Sequence, residues 1–294
     1  MLVIVNPAAA GGRLGRQWPR WQSLLESLGM RVPQAFTRAP GHATELAEEA
    51  VEKGTETVVA AGGDGTICEV AEGLHRAGKG ILGILPLGTG NDTARTLGIP
   101  RHLPAAVATL RRQKARRIDL MQVGERVVVN ALGLGLLGTI NRRAARLKKV
   151  RGFAAYLAAA VYSLARYRPT RINLEANGFS YSGPLTILAV QNGPTTGGGF
   201  RLTPAATPDD GTLDACLVEG TGMWARIPRL WAGLRGHLHR WRGSHSFTFQ
   251  SLRLHLETPL DAHLDGNPWV VPAGTLHIRV RPQALTVLGA PEPN

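Results

Sequence analysis

The first 120 residues alternate between short apolar runs and amphipathic segments, and this alternation restricts the fold more than any other feature. The runs at 2–5 (LVIV), 57–61 (TVVAA) and 80–85 (GILGIL) are apolar throughout, as buried parallel strands are. Between the first two runs, Gly54 is placed to end a helix whose apolar positions are Ala43, Leu46, Ala47, Ala50 and Val51. The pattern predicts βαβ units and an open parallel sheet.

After residue 121 the pattern changes to short strand-like runs separated by Gly, Pro, Asn and Asp. In chain order they are RVVVN, RINLEA, LTILAVQ, LDACLV, FTFQSLRLHLE, GTLHIRV and ALTVL. Helical segments at about 138–167 and 223–237 interrupt the series. We therefore predict a second, mainly antiparallel domain.

The length of 294 residues also favours two domains, because single cores seldom exceed about 200 residues. The predicted fold class is α/β, with an N-terminal open parallel-sheet (Rossmann-like) domain and a C-terminal, mainly antiparallel β-sandwich domain. The first domain comprises residues 1–121 plus about 282–294, where the run ALTVL returns to it, and the second comprises residues 122–281.

The chain is strongly basic, with 34 Lys and Arg against 21 Asp and Glu and a formal net charge of +13. Such charge attracts nucleic acids, anionic lipid headgroups or phosphorylated small molecules without choosing among them. Because Lys supplies few of the 34, an Arg-rich composition is an alternative explanation. No signature of an RNA- or DNA-binding module occurs and the charge is dispersed, so we expect no nucleic-acid partner.

The cysteine pattern and the apolar stretches indicate a cytoplasmic protein. Cys68 and Cys216 are far apart and match no disulfide or zinc spacing. The start MLVIVNPAAAGGR lacks the features of a signal peptide. The nearly uncharged stretch 153–165 is shorter than the ~20 residues that a spanning helix needs. We expect a soluble or membrane-peripheral chain.

The stretch AAGGDGTICEVAEG (60–73) follows a predicted strand and opens a helix. Its glycines leave backbone N–H groups free at the positive end of that helix, where a phosphate binds well; a tight strand-to-helix corner is the alternative. Thr66 and Glu69 have the spacing of a capping box. A dinucleotide G-x-G-x-x-G motif is excluded by Cys68, and a P-loop at 73–80 is excluded by Gly80.

Further stretches keep a fixed order along the chain. They are IVNPAAAGGR, TRAPGHATELA and LPLGTGNDTARTLG, and downstream RIDLMQVGERVVVNALGLGLLG, GGGFRLTPAATPDDGTLDACLV and HLDGNPWVVPAGTLHIRVRPQALTVL. Together with GGDGT they resemble the diacylglycerol kinase catalytic-domain family, which includes bacterial lipid kinases and sphingosine kinases. NAD kinases share GGDGT, but GTGND here differs from their second motif.

The resemblance implies an ATP-dependent lipid kinase whose nucleotide binds the Gly-rich turn. The matching nucleotide-contacting positions are Asn6, Thr37, Gly62, Gly63, Asp64, Gly65, Thr66, Gly88, Thr89 and Asn91. Carboxylates matching Asp64, Asp92 and Asp119 are implied around a catalytic Mg²⁺, which prefers oxygen ligands. The alternatives are that Asp92 caps a helix beginning near Thr93 and that Asp119 ends a strand.

The segment TPDDGTLD (207–214) resembles one that holds a structural Mg²⁺ in some family members. Asp210 would supply the carboxylate, with backbone oxygens near Thr207 and Thr212. A plain turn before a strand is the alternative explanation of the same residues.

One position departs from the family pattern. Family members usually carry D-G-E where this chain has Asp265, Gly266 and Asn267, and the Glu is the candidate base for the lipid hydroxyl. An amide accepts no proton at neutral pH, so Asp265 or Asp64 would have to serve as the base. The alternatives are a catalytically weak nucleotide- or lipid-binding protein and a soluble kinase of the NAD kinase type.

A membrane lipid as substrate implies peripheral contact with an anionic membrane. The segment 224–243 combines Trp224, Trp231 and Trp241 with arginines, as interfacial segments do. In 141–169, basic Arg142, Arg146 and Lys149 precede an apolar stripe of Phe153, Leu157, Val161 and Leu164, for which core packing is favoured. The resemblance implies a diacylglycerol-like substrate and a place in phospholipid biosynthesis. The oligomeric state stays open, with a homodimer among the alternatives.

Overall fold

A computed structural model describes residues 1–146 and 153–289 of the chain. Two compact units are formed, one by Met1–Ile118 with the chain from Gln283 onward, the other by Asp119–Pro282. None of the helices among the described residues has the length and apolar character needed to cross a bilayer.

The helices and strands follow one another in this order. They are β1 (Leu2–Val5), α1 (Ala9–Ser27), β2 (Gln34–Phe36), α2 (His42–Glu52), β3 (Thr57–Gly62), α3 (Asp64–Ala77), β4 (Ile81–Pro86), α4 (Asp92–Thr96), α5 (Leu103–Arg112), β5 (Ala115–Val123), β6 (Arg126–Val128), β7 (Ala131–Gly135), α6 (Leu136–Arg146), α7 (Phe153–Arg166), β8 (Thr170–Ala176), β9 (Phe179–Gln191), β10 (Leu213–Glu219), α8 (Met223–Leu234), a 3₁₀ turn (Leu238–Arg240), β11 (Ser244–Phe249), β12 (Ser251–Leu256), β13 (Leu260–Leu264), β14 (Asn267–Val271) and β15 (Gly274–Leu288).

The first unit contains the parallel sheet that the apolar runs predict. Its strand order is β2-β1-β3-β4, with every pairing parallel. Residues Thr286 and Val287, near the end of β15, pair in parallel with Ile81 and Leu82 of β4. All six residues of β3 are buried, because helices cover both faces of such a sheet. The predicted open parallel sheet is confirmed.

The second unit is built from antiparallel pairs. The long strand β9 pairs with β8 along its first half and with β7 and β10 along its second half. In β8 and β12, buried and exposed residues alternate strictly, so that Ile172, Leu174, Leu252 and Leu254 face the core. The predicted antiparallel, β-sandwich-like second part is therefore confirmed.

Several element boundaries differ from the predictions. The runs GTLHIRV and ALTVL form the single strand β15, although Pro282 lies between them. The run LTILAVQ is only the second half of β9. Gln250 separates the predicted strand 247–257 into β11 and β12. Residues 147–152 of the predicted helix 138–167 lie outside the described part.

The predicted apolar stripe of the 141–169 segment is only partly buried. Leu164 packs against Leu136 and Ile140 in a small core cluster, whereas Val161 is 61% exposed. Arg142 forms an ion pair with Asp261 at 2.8 Å. Lys149 lies outside the described residues, as do the side chains of Arg146, Phe153 and Leu157. The described part of the stripe confirms core packing at Leu164 alone.

Candidate functional site

Four groups of predicted nucleotide-binding residues lie at one edge of the parallel sheet. Asn6 follows β1, Thr37 follows β2, Gly62 ends β3, and Gly88 follows β4 by two residues. Because these strands are parallel neighbours, their carboxyl ends share an edge. Ligands of open α/β sheets bind outside this edge.

The strand order places a topological switch point between β1 and β3. From β1 the chain continues to β2 on one side, and β3 then pairs with β1 on the other side. Asn6 bridges this point, because its Nδ2 donates to Oγ1 of Thr66 at 2.9 Å, and its Oδ1 accepts from the amide of Ala8. The crevice expected at a switch point is thus lined by Asn6 and the Gly-rich turn.

The Gly-rich turn depends on close backbone approach. A Cβ at Gly88 would lie 2.3 Å from Cα of Gly63, and one at Gly62 would lie 2.5 Å from Oγ1 of Thr66. Gly63 is extended, and α3 begins at the next residue, Asp64. The N-terminal N–H groups of this 14-residue helix therefore face the edge of the sheet, where they favour an anion.

The predicted capping box at this helix is wrong. Gly63, not Thr66, precedes the first helical residue, and Thr66 lies inside the first turn with its hydroxyl bound by Asn6. Glu69 instead accepts a hydrogen bond from the amide of Ala43, at the start of α2. Thr66 and Glu69 therefore form long-range contacts, with Asn6 and with Ala43, and do not cap the helix.

Two carboxylates stand beside the Gly-rich turn. Oδ1 of Asp64 accepts a hydrogen bond from the amide of Thr93 at 2.8 Å, which ties α3 to α4. Burial, and next the negative charge of Asp92, raise the pKa of Asp64. Asp92 begins α4 and forms an ion pair with Arg95. The negative charges of Asp64 and Asp92 therefore repel each other. Two such carboxylates suit Mg²⁺, which binds one or two carboxylates together with waters and phosphate oxygens.

The loop after β4 is held by a buried amide. The Nδ2 group of Asn91 donates to the carbonyl oxygens of Pro86 and Gly88, and its Oδ1 accepts from the amide of Gly88. Asn91 itself has φ 53°, which Asn tolerates better than most residues. Thr89 is exposed at the tip of this loop. The geometry shows Asn91 shaping the loop, and its predicted contact with nucleotide stays a prediction.

A cleft of about 330 Å³ adjoins the same loop within the first unit. Besides Gly88 and Asn91 it is lined by Arg13, Trp21 and Arg101. The sequence interpretation missed these three residues. Arg13 ends the stretch IVNPAAAGGR, which resembles the kinase family, but nothing in this local pattern marks Arg13 as a residue of the cleft.

In the second unit, Asp119 holds the predicted metal-binding turn. This fully buried residue lies inside β5, and its Oδ2 accepts from the amide of Gly211 at 2.7 Å. Asp210 accepts from the hydroxyl of Thr207 and from the amide and hydroxyl of Thr212. These bonds close the turn, as the plain-turn alternative also expects.

The predicted metal residues are divided between the two units. Asp64 and Asp92 belong to the first unit, whereas Asp119, Thr207, Asp210 and Thr212 belong to the second. Across residues 1–146 and 153–289, no group of three or more His, Cys, Asp or Glu is arranged to hold a metal ion. Both predicted Mg²⁺ sites stay predictions.

Asp265 is fixed by the backbone. It forms the tip of the β13–β14 hairpin with Gly266, both at positive φ, as two-residue Asp-Gly turns require. Its buried carboxylate accepts from the amides of Val129 (2.8 Å), Asn130 (3.1 Å) and Ala131 (2.7 Å). This geometry favours a structural role over that of a base, and the predicted role as base stays untested.

A buried polar network extends from Asp265 to Asp119. Asn192 donates to the carbonyl oxygens of Asp119 (2.8 Å) and Val129 (3.0 Å), and the Val129 amide binds Asp265. Asn130 donates to the carbonyl oxygen of Thr195. The sequence interpretation missed both asparagines. Their only local signal is an Asn directly after an apolar strand run.

An apolar cavity lies inside the second unit. It is enclosed mainly by aliphatic side chains of α6, α7, β9 and neighbouring segments, among them Leu136, Ile140, Leu164, Ile187, Leu202 and Leu238. The polar residues Arg226 and His263 also line it. Its volume is about 50 Å³.

Comparisons with known proteins agree with this architecture. Residues 1–123 match the family model described as diacylglycerol kinase catalytic domain, and residues 130–289 match the YegS C-terminal NAD kinase beta sandwich-like domain. A protein of Pseudomonas aeruginosa named probable lipid kinase YegS-like is 37% identical over 267 residues, covering 88% of this chain and 85% of the relative. A protein of Salmonella arizonae named probable lipid kinase YegS is 30% identical, covering 90% and 88%.

Solved structures show the same fold. A crystal structure of a diacylglycerol kinase from Bacillus anthracis superposes with a TM-score of 0.73 at 23% identity, covering 99% of this chain and 96% of that one.

Proposed function

The chain belongs to the diacylglycerol kinase catalytic-domain family, and on this premise we propose that it is an ATP-dependent lipid kinase. It transfers the γ-phosphate of ATP to the hydroxyl of a diacylglycerol-like lipid. The observation that carries the proposal is the Gly-rich turn at the switch point of the parallel sheet, with Asp64 and Asp92 beside it.

The nucleotide side of the proposal rests on charge and backbone geometry. The N-terminus of α3 and the loop after β4 receive the phosphates, and Arg13 and Arg101 add positive charge to the adjoining cleft. Asp64 and Asp92 would hold Mg²⁺, which neutralises charge that develops on the transferred phosphoryl group.

The lipid side rests on the apolar cavity of the second unit. Its aliphatic lining suits an acyl chain and offers little to a sugar or a soluble nucleotide. This observation favours a lipid over the soluble acceptor of an NAD kinase-type enzyme.

Phosphate transfer from labelled ATP to a lipid panel tests the proposal. Diacylglycerol, sphingosine and polyprenol are presented in mixed micelles with Mg²⁺, and labelled lipid is extracted and counted. We expect labelled phosphatidic acid. Protein that binds ATP yet labels none of these lipids contradicts the proposal and favours the nucleotide- or lipid-binding alternative.

Asn267 is the observation that favours this alternative. Phosphoryl transfer passes through a loose transition state, in which positioning and charge neutralisation contribute more than removal of the hydroxyl proton. We therefore propose that the chain transfers phosphate, but slowly, because Asn267 cannot accept the proton of the lipid hydroxyl.

Replacing Asn267 by Glu is expected to raise kcat at least about tenfold, which is below the ~10²- to 10⁴-fold of a fully positioned base. The measurement is the initial rate at saturating ATP and diacylglycerol. Asn267→Gln is the matched control, since it adds length without a basic group. Equal rates for wild type and the Glu variant would contradict the argument that a base is missing.

We further propose that α8 carries the contact with the membrane. Trp224, Ile227, Trp231 and Leu234 recur at helical spacing and form an exposed stripe, in which Trp224 is 77% and Trp231 58% exposed. The opposite side of the helix is anchored by Arg226, which donates to the carbonyl oxygens of Thr221 and Leu164. An anchored helix with an exposed Trp stripe is suited to the bilayer interface.

Arginines next to the stripe determine which membrane it fits. Arg235, Arg240 and Arg242 are exposed at and just beyond the end of α8. Each basic residue near an anionic surface adds about 1 kcal/mol of attraction. Anionic vesicles should therefore bind more tightly than neutral ones.

The double substitution Trp224→Ser and Trp231→Ser is expected to weaken binding to anionic vesicles at least about tenfold, because burying one large apolar side chain contributes about 1.5 to 3 kcal/mol. Co-sedimentation with phosphatidylglycerol vesicles measures the loss. Val270→Ser, an exposed apolar residue of β14, is the control. Unchanged sedimentation of the double variant would remove α8 from the membrane contact.

A further inference from the structure

His263 is buried inside the apolar cavity with an unused hydrogen-bonding atom. The residue is 5% exposed, and among the described residues its Nδ1 has no hydrogen-bond partner. Its backbone pairs with Gly133 of β7, and a Cβ at Gly133 would lie 2.3 Å from Nε2. The imidazole therefore packs against β7 at Gly133, where no side chain intervenes.

An imidazole in this position lowers the stability of the fold unless it finds a partner. Burying a polar group without a hydrogen bond is unfavourable, and an aliphatic side chain would fill the same space without that cost. Burial also lowers the pKa of His263 to about 4, so the ring is neutral at pH 7. A neutral imidazole offers one N–H donor and one acceptor nitrogen.

Two neighbouring polar side chains of the cavity, Arg226 and Thr186, are engaged with protein atoms. Arg226 donates to the carbonyl oxygens of Thr221 and Leu164. The Thr186 hydroxyl accepts from the amide of Thr221 and lies 3.3 Å from its hydroxyl. His263 contrasts with these two side chains because its Nδ1 has hydrogen-bonding capacity left for a ligand. Among the described lining residues, Nε of Arg229 also lacks a partner, although the terminal nitrogens of Arg229 donate to the carbonyl oxygens of Ala225 and Arg242.

We infer that His263 donates a hydrogen bond to an ester carbonyl of a lipid bound in this cavity, and so selects acylglycerols among lipids. The inference rests on the proposed lipid kinase function. In an acylglycerol, the polar group that directly adjoins the hydrocarbon chain is the ester, whose carbonyl oxygen only accepts hydrogen bonds. Polyprenols have no such acceptor along the chain, and sphingosine has no ester.

The test compares diacylglycerol with a dialkylglycerol of the same chain length, whose ether links lack carbonyl oxygens. Wild-type protein is expected to show a KM about 3- to 10-fold lower for the ester lipid, the effect of one net hydrogen bond, with similar kcat. His263→Leu should abolish this preference, and His263→Asn, which keeps a donor near the Nδ1 position, should restore part of it. A Leu variant that keeps the full preference overturns the inference.

Two further measurements separate this inference from its premises. Binding of a fluorescent diester lipid and its diether analogue is measured directly, so the preference is tested even if no lipid is phosphorylated. Transfer failing while the binding preference holds would contradict the proposed kinase alone. The midpoint of thermal unfolding of His263→Leu should equal or exceed that of wild type. A lower midpoint with equal losses for both lipids would show a purely structural role and overturn the inference.

Discussion

Asn in place of Asp64 is expected to lower phosphate transfer by about 10³-fold, the upper range for losing one electrostatic group aimed at the transition state. The Asn side chain has nearly the same shape, and its Oδ1 can still accept the amide of Thr93. What disappears is the negative charge. In the protein alone, burial and next the negative charge of Asp92 raise the pKa of Asp64, and the proposed Mg²⁺ would oppose this shift.

The measurement is the initial rate of lipid labelling at several Mg²⁺ concentrations. ATP binding without metal should be unchanged or tighter in the Asn variant, because a negative charge near the phosphates has gone. Glu72→Gln is the matched control. It removes a carboxylate from the same helix, where Glu72 pairs with Arg76 four residues on, and pairs with this helical spacing contribute little. Wild-type rates from the Asp64 variant would show that the carboxylates of the Gly-rich turn do not serve catalysis.

The parallel sheet was predictable because its signals are local. Strands buried on both faces are apolar throughout, and β1, β3 and β4 show this in four to six consecutive residues. Once the strands are parallel neighbours, the residues that follow them share an edge. The family resemblance grouped Asn6, Gly62 and Gly88, and the shared edge of the sheet explains why these residues lie together.

The capping box shows why a local pattern can mislead. Thr66 and Glu69 have the right spacing, yet Asn6 and Ala43 bind them from 60 and 26 residues away. Gly63 needs no side-chain cap if the first N–H groups of α3 serve a phosphate. A helix start reserved for a ligand lacks the cap that sequence patterns search for.

The role of Asp265 could not be predicted for the same reason. Its three amide partners lie 134 to 136 residues earlier in the chain, and backbone amides leave no trace in a sequence. The D-G pair looked like part of a catalytic motif. The structure shows that it also makes a tight hairpin turn and joins β13 to the chain before β7.

Replacing Asp265 by Ala is therefore expected to lower the free energy of unfolding by about 3 to 5 kcal/mol, since each buried amide left without an acceptor costs about 1 to 3 kcal/mol. Positive φ adds to the loss, because Ala fits the left-handed region less well than Asp. Urea unfolding of the full chain measures the change. Glu257→Gln, on an exposed loop of the same unit, should leave the unfolding free energy nearly unchanged.

Asp265→Asn separates the structural role from a catalytic one. Asn tolerates positive φ and keeps one acceptor oxygen, but its NH₂ group faces an amide donor, so a loss of about 1 to 3 kcal/mol is expected. At a temperature where the Asn variant is folded, its kcat should stay within about tenfold of wild type, far from the ~10²- to 10⁴-fold loss of a general base. A variant with wild-type stability and a hundredfold lower kcat would instead make Asp265 the base, and would reassign the amides of residues 129–131 to holding a catalytic carboxylate in place.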